Sequence, residues 1–96
     1  MELLVCYDVS TVTAEGRTRL RKVANVCEAH GQRVQKSVFE CTLNDAELEV
    51  LMHRLWRVME PREDSLRVYR LREPRQRYLR VIGAQPQFDL HEPLVV

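Results

Sequence analysis

The sequence predicts a small α+β domain with the element order βαββαβ and one additional strand toward its C-terminus. An unbroken apolar run of strand length opens the chain. Two stretches with helical spacing of apolar residues follow, well separated from one another. The segments between and after them are rich in β-branched residues or set apolar residues against arginine, as strands do. With 96 residues, 45% of them hydrophobic, the chain suits one core. A domain of that size leaves much apolar surface uncovered, so self-association is expected.

Leu3-Leu4-Val5-Cys6-Tyr7, closed by Asp8, is expected to be a central strand buried on both faces. Over residues 14–30, Leu20, Val23, Ala24 and Cys27 fall at helical spacing with Arg and Lys between them, and Gly31 is available as a C-cap. Residues 32–43 fit either one kinked strand or a tight hairpin near Lys36-Ser37. Asn44, with Glu47 three residues on, forms a capping box ahead of Leu48, Leu51, Met52, Leu55, Trp56 and Met59, and Pro61 stops that helix. The stripe reads as core, with Trp56 an anchor at a dimer interface. Residues 66–71 read as a strand whose arginines line a wet face, and residues 77–82 as a further strand. With the middle segment as a hairpin, this order is that of the ferredoxin-like fold, which many unrelated functions use.

A net charge of +1 argues against a bulk polyanion binder, but the charge is uneven. Residues 65–80 hold Arg67, Arg70, Arg72, Arg75, Arg77 and Arg80 against the single acid Glu73. Cys6, Cys27 and Cys41 lie among apolar neighbours without a CxxC or Cys/His cluster, and read as reduced core thiols rather than zinc ligands. His30, His53 and His91 stand alone, which points to surface or helix-end roles. No apolar run approaches the roughly 20 residues of a membrane helix. Residues 3–6 lack the basic start and cleavage site of a signal peptide, so a cytoplasmic protein is expected. Gly-rich phosphate loops and nucleophile elbows are absent from the sequence.

Two segments, the strand ending Tyr7-Asp8-Val9 and the run Arg33-Val34-Gln35-Lys36-Ser37-Val38-Phe39-Glu40-Cys41, resemble the small second core family of CRISPR-associated proteins, Cas-two. Residues 19–24 and Gly31 occupy the positions of that family's first helix, and residues 64–69 look like its fourth strand. The end of the chain, Ile82-Gly83-Ala84 with Pro86, Asp89 and Leu94-Val95-Val96, is similar to the extension of a branch associated with type I-C systems. The resemblance implies a homodimer of ferredoxin-like domains (residues 1–82) with an extension (residues 83–96) that contributes to dimer or integrase contacts. It implies a role beside the Cas-one integrase, where the dimer bridges integrase dimers and holds the DNA of a new spacer. It also implies a Mg²⁺- or Mn²⁺-dependent endonuclease acting on RNA or double-stranded DNA. A non-catalytic DNA-binding scaffold and a ferredoxin-like toxin ribonuclease are the alternatives.

From pattern alone Asp8 more often forms an Asx turn or caps the first helix, but it matches the family's catalytic, metal-binding aspartate, and the resemblance reverses that reading. Ser10 and Ser37 are candidate partners for phosphate or metal-bound water, against turn formation. Phe39 is expected to pack near the site, and Tyr7 to be core, since strand neighbours point to opposite faces and Tyr7 and Asp8 cannot both line one cleft. Arg17, Arg19, Arg21, Arg33, Arg67, Arg70, Arg72, Arg75 and Arg77 are candidate nucleic-acid contacts that position without reading sequence. Against this stands a solvated face on which Glu2, Glu28 and Glu63 pair with some of them.

Overall fold

The structure, a computed structural model, describes residues 1–85. It consists of β1 (Glu2–Asp8), α1 (Ala14–His30), β2 (Gln32–Gln35), β3 (Val38–Thr42), α2 (Asp45–Val58), β4 (Ser65–Arg70) and α3 (Arg75–Tyr78). The strands form one sheet in the order β2-β3-β1-β4, antiparallel at every pairing. This is the ferredoxin-like α+β arrangement that the element order predicts.

The hairpin alternative holds for the middle segment: β2 and β3 turn at Lys36-Ser37, with an irregularity in register between Arg33 and Gln35. Leu3, Val5 and Tyr7 of β1 share a sheet face with Phe39 and Cys41 of β3 and with Leu66 and Val68 of β4. Val23, Val26 and Cys27 of α1 and Leu51 and Leu55 of α2 complete a core with that face. The two-sided burial expected of β1 is not observed, because α1 and α2 cover the same face. Leu4 and Cys6 are only half-buried on the other, beside Val38 and an exposed Tyr69. Cys27 and Cys41 are core thiols as expected, and burial pushes the Cys27 thiol up to about 12, whereas Cys6 belongs to the open face.

α1 starts at Thr13, whose hydroxyl accepts from the Gly16 N–H, so Asp8 does not cap it. Gly16 is required by a close approach: a Cβ there would stand 2.0 Å from the Ser10 carbonyl oxygen. α1 ends at Gly31 in extended backbone, where a Cβ would meet the Cys41 sulfur at 2.4 Å and the Glu40 carbonyl oxygen at 2.5 Å. The glycine is needed for helix-to-strand contact and not for a left-handed turn. The Asn44–Glu47 capping box at α2 forms in both directions.

Three expectations fail. Trp56 leaves the expected core stripe: it is 71% exposed, because it follows Leu55 on the flank of α2 while Leu51 and Leu55 face the sheet, and a side chain so exposed stays available to an interface. Residues 77–82 are not a strand: Pro74 opens the short α3, and residues 79–82 run on exposed without regular structure. In β4, Val68 and Tyr69 break the alternation, so Arg67 lies on the open face but Arg70 falls in register with Leu3 on the helix side. The expected additional C-terminal strand is not found among the described residues; residues 86–96 lie outside them. No helix among the described residues is long and apolar enough to cross a membrane.

Candidate functional site

β1 delivers Asp8 to the C-terminal end of a central strand, opposite Ser65 of β4 and exposed to solvent. Beside it lies a groove of about 390 Å³ between α1 and the β2–β3 hairpin. Its lining includes Tyr7, Asp8, Arg21, Arg33 and Ser37. Tyr7 is core as expected, yet Tyr7 and Asp8 both border this groove, which strand alternation did not anticipate.

Tyr7 is buried and clamps the hairpin turn, its N–H donating to the Ser37 carbonyl at 3.1 Å and its hydroxyl to the Lys36 carbonyl at 3.2 Å. Its ring stacks with Phe39 at 6.1 Å between centroids, and the Arg33 guanidinium lies over the Phe39 ring at 5.1 Å. Burial, with the neighbouring Cys27, pushes the Tyr7 phenol above its ordinary value against the opposing pull of Arg33. Tyr7 is thus a neutral positioning group. Arg33 also pairs with Glu28 at 3.3 Å.

A second cluster holds the loop that follows Asp8. The buried Asp64 carboxylate accepts from the Ser10 N–H (3.1 Å), the Glu60 N–H (2.9 Å) and the Arg19 guanidinium (2.9 Å), which also reaches Glu63. Burial pushes the Asp64 carboxyl up, but the Arg19 guanidinium and the two backbone N–H groups outweigh it and hold the group below its ordinary value. Nothing in the local sequence marks Asp64 as a hub, since Arg19 is 45 residues away.

The arginines separate accordingly. Arg19 is a structural strut held by Asp64 and Glu63, and so is Arg75, which pairs with both Glu2 and Glu40 on the open face of the sheet. Arg70 pairs with Glu73 at 3.8 Å, Arg17 donates to the Thr11 carbonyl, Arg67 to the Tyr69 hydroxyl, and Arg72 stacks on Tyr78. Glu2, Glu28 and Glu63 each take an arginine, as the charge pattern suggested. Arg21, Arg72 and Arg77 are exposed. Lys36, which the sequence reading passed over, joins Arg21 at the groove; a basic residue in a two-residue hairpin turn was the available signal.

Residues 1–78 match the family profile described as CRISPR associated protein Cas2. The chain belongs to the Cas2 family. It is 53% identical over 96 residues to the "CRISPR-associated endoribonuclease Cas2 1" of Moorella thermoacetica, covering 100% of both chains. It is 44% identical over 95 residues to the "CRISPR-associated endonuclease Cas2" of Halalkalibacterium halodurans, covering 99% of both. Among solved structures, Streptococcus pyogenes Cas2 superposes with a TM-score of 0.78 at 47% identity, covering 86% of this chain and 100% of that one. The Cas2 resemblance of the strand-end aspartate and the hairpin run is thus part of a full-length family match.

Among the described residues no group of three His, Cys, Asp or Glu side chains converges as a closed metal site. The donor set at the strand end is a single carboxylate. That suits Mg²⁺ bound through one or two carboxylates with water and substrate phosphate, not an all-protein cage.

Proposed function

We propose that this Cas2-family chain is a metal-dependent phosphodiester endonuclease that works as a homodimer, with Asp8 as the catalytic carboxylate. The observation that carries this reading is an exposed aspartate at the end of the central strand, beside a groove rimmed by Arg21 and Lys36. The half-covered open face of the sheet, with Leu4, Cys6, Val38 and Tyr69, supports dimerisation, since a second copy would bury it. In such a pair each protomer supplies one Asp8, and together they offer the two carboxylates that a Mg²⁺ or Mn²⁺ site uses alongside phosphate oxygens. When bound, the ion supplies a Lewis acid for the scissile phosphodiester and lowers the pKa of attacking water. Asp8 would hold the ion, Arg21 and Lys36 would hold the phosphate backbone, and the Tyr7 clamp keeps the hairpin turn fixed against the strand end.

The same dimer, in this reading, holds duplex DNA and bridges the Cas-one integrase during spacer insertion, with residues 83–96 contributing to those contacts. Exposed arginines that keep no acidic partner among the described residues, Arg72 and Arg77 among them, favour this scaffold role. The family match favours both roles over a toxin ribonuclease. The test incubates the protein with labelled single-stranded RNA and duplex DNA, with and without Mg²⁺, comparing wild type with Asp8→Asn and following binding by gel shift. Mg²⁺-dependent cleavage lost in D8N with binding retained is the expected result. Cleavage unchanged in D8N overturns Asp8 as the catalytic group, and binding without cleavage leaves the scaffold role alone.

A further inference from the structure

The groove beside Asp8 has a chemistry that backbone binding alone does not need. Its floor is apolar, built from Val9 at the end of β1 and from Leu20 and Ala24, one turn apart on α1, with the buried Tyr7 ring closing the end. Its rim is cationic and polar: Arg21 next to Leu20 on α1, and Lys36 and Ser37 on the hairpin turn. The side chains of Arg21 and Lys36 enter no hydrogen bond or ion pair among the described residues, in contrast with Arg19, Arg33 and Arg75. At about 390 Å³ the space falls in the range of small-ligand pockets. The turn that carries Lys36 and Ser37 is held in place by both polar groups of Tyr7, so the rim is organised before anything binds.

An apolar floor under a cationic, hydroxyl-bearing rim matches a ligand that joins a planar heterocycle to a phosphate. We propose that each protomer uses this groove to seat one unpaired nucleotide of a single strand, its base on Leu20 and Ala24 and its phosphate on Arg21 and Lys36. A base paired inside a duplex cannot reach the floor, so the groove selects single-stranded or frayed segments. Asp8 lies on the same rim, so the captured nucleotide is delivered next to that carboxylate. For this last step the inference rests on the nuclease reading; the seating itself does not.

The experiment measures binding in metal-free buffer, so that no cleavage intervenes. Wild-type protein is titrated, by fluorescence anisotropy, into a labelled single strand, the same strand with abasic residues throughout, and the corresponding duplex, each as RNA and as DNA. The base-bearing strand is expected to bind about threefold to tenfold more tightly than its abasic counterpart, as burial of one base face on aliphatic side chains gives. Ala24→Phe, which fills the floor and leaves every charge in place, is expected to abolish that difference while keeping the abasic affinity. Arg21→Ala with Lys36→Ala is expected to weaken both strands. Equal wild-type affinity for base-bearing and abasic strands overturns the proposal, and needs no variant to fold. If the same base-bearing strand, then given Mg²⁺, is not cleaved while the base preference stands, the nuclease reading is overturned instead.

Discussion

Asp64 carries more of the site than its position suggests. Its carboxylate ties the Ser10 loop, the Glu60 turn and Arg19 of α1 to one point, and Gly16 lets the helix backbone lie against Ser10 from the other side. Asp64→Ala leaves buried N–H donors without acceptors. We expect a loss of about 1–3 kcal/mol in urea unfolding, with the loop after Asp8 released. Acid acts on the same group. The folded Asp64 carboxyl is held below its ordinary value, so its contribution is fully present above the unfolded carboxylate range and is lost as pH falls through the folded value. His30 acts earlier in the same direction. Arg54 can only donate, so its 3.0 Å contact with His30 Nε2 requires a neutral ring, and burial followed by Arg54 lowers the His30 pKa against Glu47. Thermal stability is expected to fall on acidification first below the ordinary histidine value, a step removed in His30→Gln, and again in the carboxylate range, a step removed in Asp64→Asn.

At the scale of elements, α1 and α2 were legible because their signals are local. The Asn44–Glu47 spacing marks the start of α2, and apolar spacing marks the buried stripe of each helix. Asn44→Ala is expected to cost about 1 kcal/mol, read from the urea midpoint at unchanged slope. Gly31→Ala forces a methyl group against the Glu40 carbonyl and should cost about 1–3 kcal/mol, as overpacking does. What the sequence concealed was non-local. Arg75 looks like any member of an arginine run until the fold brings Glu2, 73 residues away, against it. The residues 77–82 show strand-like composition, but Pro74 and the Arg75 ion pairs commit the chain to a helical turn there. Asp8 itself was legible as a strand-end carboxylate, while the groove beside it was not, since it needs α1 and the hairpin to converge.

For the whole molecule, the sheet decides what kind of assembly is available. α1 and α2 lie on one side, and the other side shows Leu4, Cys6 and Val38 flanked by Arg67 and Tyr69 of β4, with Glu40 beside Leu4 and paired, like Glu2, with Arg75. Leu4→Lys with Val38→Lys places like charges on that face. Light scattering after size exclusion is expected to shift from dimer to monomer, with far-ultraviolet dichroism unchanged. A dimer that survives both substitutions assigns the interface elsewhere. Removal of residues 83–96 is expected to weaken integrase capture more than it weakens folding, measured by pull-down against thermal midpoint.

The chain has one tryptophan, and it is the exposed Trp56 on the flank of α2, bordering a shallow groove with Met52, Met59 and Leu66. An indole already surrounded by water emits at long wavelength in the native protein and changes colour little on denaturation. Its fluorescence is therefore a poor gauge of folding but a built-in reporter for this flank, turning blue only when another molecule covers it.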